Sequence, residues 1–146
     1  EPPDSHGLCL LEYAGVNTNT LYEVSASNSQ AAPGSGTDGV TSTAAVTTLD
    51  GETIVGALWN VENTTVNITP GTVPNTWVSR ATQSGSVQKG LCEEFVQTAA
   101  GSIAATGHLS AGATTDTVAF LVALKNAPGR SAATSRTAAT TRAARQ

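Results

Sequence analysis

Apolar and hydroxyl side chains alternate with a period of two through most of this chain, and turn-forming pairs interrupt them roughly every ten residues. Successive side chains of a strand point to opposite faces, so this pattern describes short strands with one face turned inward. Thr is β-branched and fits a pleated, half-buried surface. Aromatic residues make up only 4% of the chain, so its core must be built from Val, Ile, Leu and Ala. A length of 146 residues suits one domain with its own core.

Read from the start, GLCLLEYA (7–14) is an apolar strand, GVNTNT (15–20) a turn and LYEVSA (21–26) a second strand. Residues 27–39, rich in Ser, Gly, Ala and Asn, read as a loop. VTSTAAVTT (40–48) is a Thr-faced strand, and Asp50-Gly51 after it is a hairpin signal. TIVGALWNV (53–61) is a mostly apolar central strand. Short strands follow at 65–69 and at TWVSRAT (76–82). VQKGLCEEFVQT (87–98) competes with helix over 90–100, but Thr98 and the flanking glycines favour strand. SIAATGHL (102–109) and the near-continuous apolar TVAFLVALK (117–125) complete about nine strands. The expected fold is therefore all-β, an antiparallel β-sandwich spanning residues 1–126. Residues 127–146 are a low-complexity basic tail without Leu, Ile, Val or aromatics. Such a tail buries too little to offset its ordering entropy and is expected to be disordered unless a partner orders it.

Five segments taken in order carry a resemblance. They are LLEYAGVNTNTLYEVSASNS (10–29), SGTDGVTSTAAVTTLDGETIVGAL (35–58), WVSRATQSGS (77–86), CEEFVQTAAGSIAATGHLS (92–110) and TVAFLVALK (117–125). Together they resemble the jelly-roll-like β-sandwich modules of bacterial secreted proteins and phage structural or tail proteins. The resemblance implies a sandwich with jelly-roll character and no shared catalytic residues. Such modules carry further strands before the E-Y-x-G-V segment, whereas only EPPDSH and the first strand's opening residues stand before Glu12 here. The expectation is a sandwich lacking its first strands and completed by another protein chain, as a homo- or hetero-oligomer.

Chemistry-bearing residues are sparse. Charged residues amount to 12% of the chain, against an ordinary share of about 25%. A Ser-His-Asp triad needs a base beside its nucleophile, but the two histidines, His6 and His108, stand without a G-x-S-x-G elbow. Glu93 and Glu94 are adjacent, so on a strand they face opposite sides and cannot share one site. Glu12 and Glu94 could meet only across strands. Asp38, Asp50 and Glu52 are hard oxygen ligands in turns, too thinly spaced for the usual Ca²⁺ loop. The chain is accordingly expected to be no enzyme and to hold no metal and no cofactor.

For a ligand, the aromatics are the candidates. Trp59 sits in an apolar strand and reads as core, whereas Trp77 follows a Pro-Asn turn and Tyr22 adjoins the Ser/Gly loop. Trp77 and Tyr22 are the expected ligand-contacting residues, and polysaccharide is the fitting class. The acidic body, with 11 acids and 3 bases up to residue 128, argues against nucleic acid. The longest apolar run, 118–124, is too short for a membrane helix, so no membrane insertion is expected.

Cys9 and Cys92 are either a disulfide or two buried thiols. A disulfide closing so long a loop contributes roughly 4 kcal/mol in the chain-entropy model. Low charge, abundant hydroxyls and a cysteine pair suit an extracellular or virion-surface part. The functional expectation is a non-catalytic structural or adhesive module, with a carbohydrate-binding module of a larger secreted protein as the alternative.

Overall fold

The computed structural model describes residues 9–17, 19–33, 35–48, 51–60, 67–72, 75–84, 88–111, 116–127 and 134–136; for 36–40 and 134–136 it describes the backbone alone. Among these residues the protein is all-β and antiparallel, without a helix. The strands are β1 (Glu12–Ala14), β2 (Tyr22–Gln30), β3 (Gly36–Thr41), β4 (Ala45–Thr47), β5 (Thr53–Asn60) and β6 (Ile68–Pro70). They continue as β7 (Val78–Ser84), β8 (Lys89–Val96), β9 (Gly101–Ile103), β10 (Thr106–Leu109), β11 (Thr117–Leu124) and β12 (Thr134–Arg136).

One layer is a five-stranded sheet of order β2-β11-β5-β8-β7. The apolar segments form β5 at its centre and the adjoining β11, as expected when both faces of a strand need cover. The second layer consists of β3-β10-β6 and β4-β9. These two pieces run on from each other through residues 42–44 and 104–105. There the Ser42 amide donates to the Ala105 carbonyl at 2.9 Å, and the Ala105 amide donates to the Ser42 hydroxyl at 3.0 Å. A side-chain oxygen thus replaces a missing ladder acceptor.

Between the layers lies the core, in two clusters. Leu58, Leu91 and Ala119 of the large sheet meet Ile68 and Leu109 of the small one. Ile54, Leu121 and Ala123 meet Ala45, Ile103, Ala105 and Trp77. Aliphatic residues do most of the filling, as the scarcity of aromatics requires.

Several expectations change. Among the described residues of the first apolar segment, 9–14, only Glu12–Ala14 is strand. The loop expected at 27–39 is largely strand, because β2 runs on to Gln30 and β3 starts at Gly36. Ser and Asn are tolerated there because β2 is an edge of its sheet. Asp50-Gly51 does not join a hairpin, since β4 pairs with β9 while β5 pairs with β8 and β11. The chain crosses between layers there, with Gly51 at φ 74°. Leu49 and Asp50 themselves lie outside the described residues, as does His6. Part of the tail has structure, since Thr134–Arg136 pairs with β1. The expected disorder of the rest of the tail falls outside the described residues.

Candidate interaction face

Register decides which side chains share the outer face of the large sheet. On β11, Val118, Phe120 and Val122 stand opposite Trp59, Ala57 and Val55 of β5, and Ala57 and Val55 stand opposite Cys92 and Glu94 of β8. On the other side of β11, Phe120 and Val122 stand opposite Ser27 and Ser25 of β2. The intervening residues Ala119, Leu121, Ile54 and Leu58 point inward and are buried. The outer face is thus an apolar strip along β5 and β11, bordered by serines on one side and by Cys92 and Glu94 on the other.

Residues 9–17 form a strap across part of this strip. Its start is joined by the Cys9–Cys92 pair, at a Cα–Cα distance of 6.6 Å. Further along, the Tyr13 hydroxyl donates to Glu94 Oε2 at 3.1 Å, and Glu94 Oε1 is paired with Arg80 of β7. The far end is held by backbone: the Asn17 amide donates to the Lys125 carbonyl at 2.8 Å, and the Ala127 amide donates to the Gly15 carbonyl at 2.7 Å. Burial raises the pKa of Tyr13, and the Glu94 charge and hydrogen bond add to this against the opposing pull of Arg80. Its hydroxyl therefore stays a donor. The Glu94 hydrogen bond and charge likewise raise the pKa of Arg80 against its own desolvation.

Beneath the strap lies a cavity of about 440 Å³ lined by Leu11, Tyr13, Val55, Ala57, Val122 and Leu124. Beyond it the strip opens into a groove of about 570 Å³ bordered by Ser25, Ser27, Thr43, Val55, Phe120 and Val122. Phe120 is 52% exposed at the centre of its strand, and Tyr22 at the strip's end is 58% exposed. Thr43 closes the rim by donating to the Ser27 carbonyl at 3.0 Å.

The expected aromatic pair divides. Tyr22 is on the surface beside the strip, but Trp77 is only 3% exposed and packs against Phe95, ring centroids 5.8 Å apart. Its ring fills space in the core between the layers and so offers no stacking surface. Trp59 is half-buried on the outer face and lies across Gly90; a Cβ there would stand 2.3 Å from the indole ring. Phe120 was not singled out from the sequence. Its signal was available: a strand apolar on both sides has two faces to cover.

The two adjacent glutamates separate as the period requires. Glu94 faces outward to Tyr13 and Arg80. Glu93 faces the core, fully buried against Gly56, with neither carboxylate oxygen hydrogen-bonded. Burial raises its pKa to about 9, while the nearby Thr106 and Gly71 backbone groups pull the other way. Its carboxyl is neutral at pH 7. Glu12 is exposed and Tyr13 takes the place beside Glu94. His108 stands on β10 opposite Thr69. Among the described residues no three His, Cys, Asp or Glu side chains gather to hold a metal ion. The Asp38 side chain and Asp50, considered above for Ca²⁺, lie outside the described set. Nor is any helix among these residues long and apolar enough to cross a membrane.

No family model, no curated protein and no solved structure matches this chain.

Proposed function

We propose that this protein is a non-catalytic structural or adhesive module of an extracellular or virion assembly, joined to another protein chain through the outer face of its large sheet. The observation that supports this most is Phe120, half-exposed in the middle of β11, with Val118, Val122, Ala57 and Ser27 around it on the outer face. Contiguous apolar surface of this kind marks interaction sites in soluble proteins. Leu10, Leu21 and Tyr22 extend the exposed surface along the strap's margin. A cysteine pair 83 residues apart fits an oxidising compartment, and the resemblance to secreted and phage structural modules points the same way.

The partner is expected on the face rather than on an edge. Edge strand β7 carries a register shift between Ser79 and Ala81, with Arg80 at that point. Bulges and charged side chains discourage strand addition. Sedimentation equilibrium tests the reading. The chain should associate with itself or with a co-purified partner, and Phe120→Asp should abolish that association while leaving the melting transition in place. A wild-type chain that stays monomeric without a partner at high concentration would refute it.

The groove favours a second reading, a carbohydrate-binding module. An exposed aromatic ring beside serine and threonine hydroxyls can stack on a sugar and hydrogen-bond it. Here Phe120 and Tyr22 replace Trp77 as the rings to test. Retention on immobilised polysaccharide, lost in Phe120→Ala or Tyr22→Ala with the fold intact, would support that alternative.

A further inference from the structure

At the point where the chain crosses between layers, two carboxyl groups meet. Glu23 belongs to edge strand β2, and Glu52 stands just before β5. Glu23 Oε1 accepts from the Thr48 amide at 2.7 Å and also from the Thr48 hydroxyl. Glu52 is fully buried, and the row Tyr22–Leu124–Thr53 across β2, β11 and β5 sets it two strands from Glu23, whose carboxyl acts on it. Glu23 Oε2 and both Glu52 oxygens are buried without a donor. Around them, β2 contributes Glu23, Thr48 follows the end of β4, and Lys125, the charged group that acts on both carboxyls, follows the end of β11. Beside them Gln97 donates its amide to the Glu52 carbonyl at 2.9 Å, and Asn126 donates its side-chain amide to the Gly51 carbonyl at 2.7 Å.

Two ionised carboxylates here would leave three buried acceptor oxygens without a donor. A single proton removes the conflict: Glu52 donates to Glu23, and Lys125 balances the one remaining negative charge. We propose that Glu23 and Glu52 share one proton and act as a latch that ties edge strand β2 to the crossing between the layers and releases it in mild alkali.

Burial, then the hydrogen bond to Glu23 and its charge, raise Glu52 to about 8, against the pull of Lys125. Burial also pushes Glu23 upward, but hydrogen bonds from Glu52 and Thr48 and the Lys125 charge bring it below the usual range. The signs therefore differ. A raised folded-state pKa gives stability that is complete below the unfolded value and is lost as pH rises through about 8. A lowered one gives stability lost only in acid. Between those limits the pair holds one proton, and it titrates as a unit. A divalent cation could use the same oxygens, but the adjacent Lys125 charge opposes it.

Carbon-detected NMR of the glutamate carboxyls and hydrogen exchange of the Thr48 amide read this directly on the whole chain. One glutamate of the pair should titrate near pH 8. The protection of the Thr48 amide, corrected for intrinsic exchange, should fall by about tenfold for a pH one unit above that midpoint. Glu52→Gln supplies a permanent donor to Glu23 and should keep that protection constant up to pH 9. The proposal is overturned if both glutamates titrate in the ordinary range near 4.5. Unchanged Thr48 protection in the wild type between pH 6.5 and 9 would also overturn it. So would a millimolar Ca²⁺ requirement for protection at pH 6.5, because the oxygens would then hold a cation.

Discussion

The Tyr13 hydroxyl donates to Glu94 Oε2 across 81 residues of sequence, two positions along β8 from the cysteine that holds Cys9. One strand therefore fastens the strap twice on the same face. Glu94 is nearly buried, so removing the Tyr13 hydroxyl takes one donor from a carboxylate with little access to water. Tyr13→Phe should destabilise the fold by about 1.5–3 kcal/mol, the range for a hydrogen bond to a charged group. Urea unfolding against wild type measures it; a difference near zero would mean the strap is not held there.

Reducing the cysteine pair, or substituting Cys9→Ser with Cys92→Ser, should cost about 4 kcal/mol by the chain-entropy estimate. It should also uncover Val55, Val122 and Leu124 beneath the strap. Binding of a hydrophobic dye should rise on reduction while far-ultraviolet circular dichroism stays that of a β protein.

Glu93 should favour the folded state more in acid than in alkali. Its folded-state pKa of about 9 lies above the unfolded value near 4.5, so its contribution is complete below pH 4.5 and declines as pH rises toward 9. Glu93→Gln cannot ionise and should flatten that decline, raising stability above pH 7 by on the order of 2 kcal/mol. Melting temperatures from pH 5 to 9 check this. A wild type whose melting temperature climbs over that range would contradict it.

Gly90→Ala should be unusually damaging for an added methyl group, because its Cβ would stand 2.3 Å from the Trp59 ring. Displacing the indole should cost about 1–3 kcal/mol. Tryptophan fluorescence should shift to the red, since Trp59 would move off its strand while Trp77 stays in the core.

Period-two patterning made the sheet legible. It marked the apolar strands 53–61 and 117–125, which form the centre of the large sheet and the strand adjoining it. It also separated Glu93 from Glu94. Pairing was less legible, because a turn signal reports a local bend and not which strands meet beyond it. Asp50-Gly51 therefore read as a hairpin although its flanking strands belong to different layers. The candidate face was half visible. Tyr22 was identified, whereas the exposure of Phe120 and the burial of Trp77 depend on the strap and the opposite layer, which no local pattern describes. Glu52 and Glu23 are 29 positions apart in sequence and come together only when β2 and the layer crossing are both in place.

The apolar strip along β5 and β11 is the surface proposed to meet a partner. Hydrogen–deuterium exchange, comparing dilute chain with the assembled or partner-bound form, tests it most directly. Residues 117–124 and the β2 serines beside them should gain protection on assembly, with β3 and β7 unchanged. Protection that rises along β7 instead, or nowhere on the chain, would contradict the account.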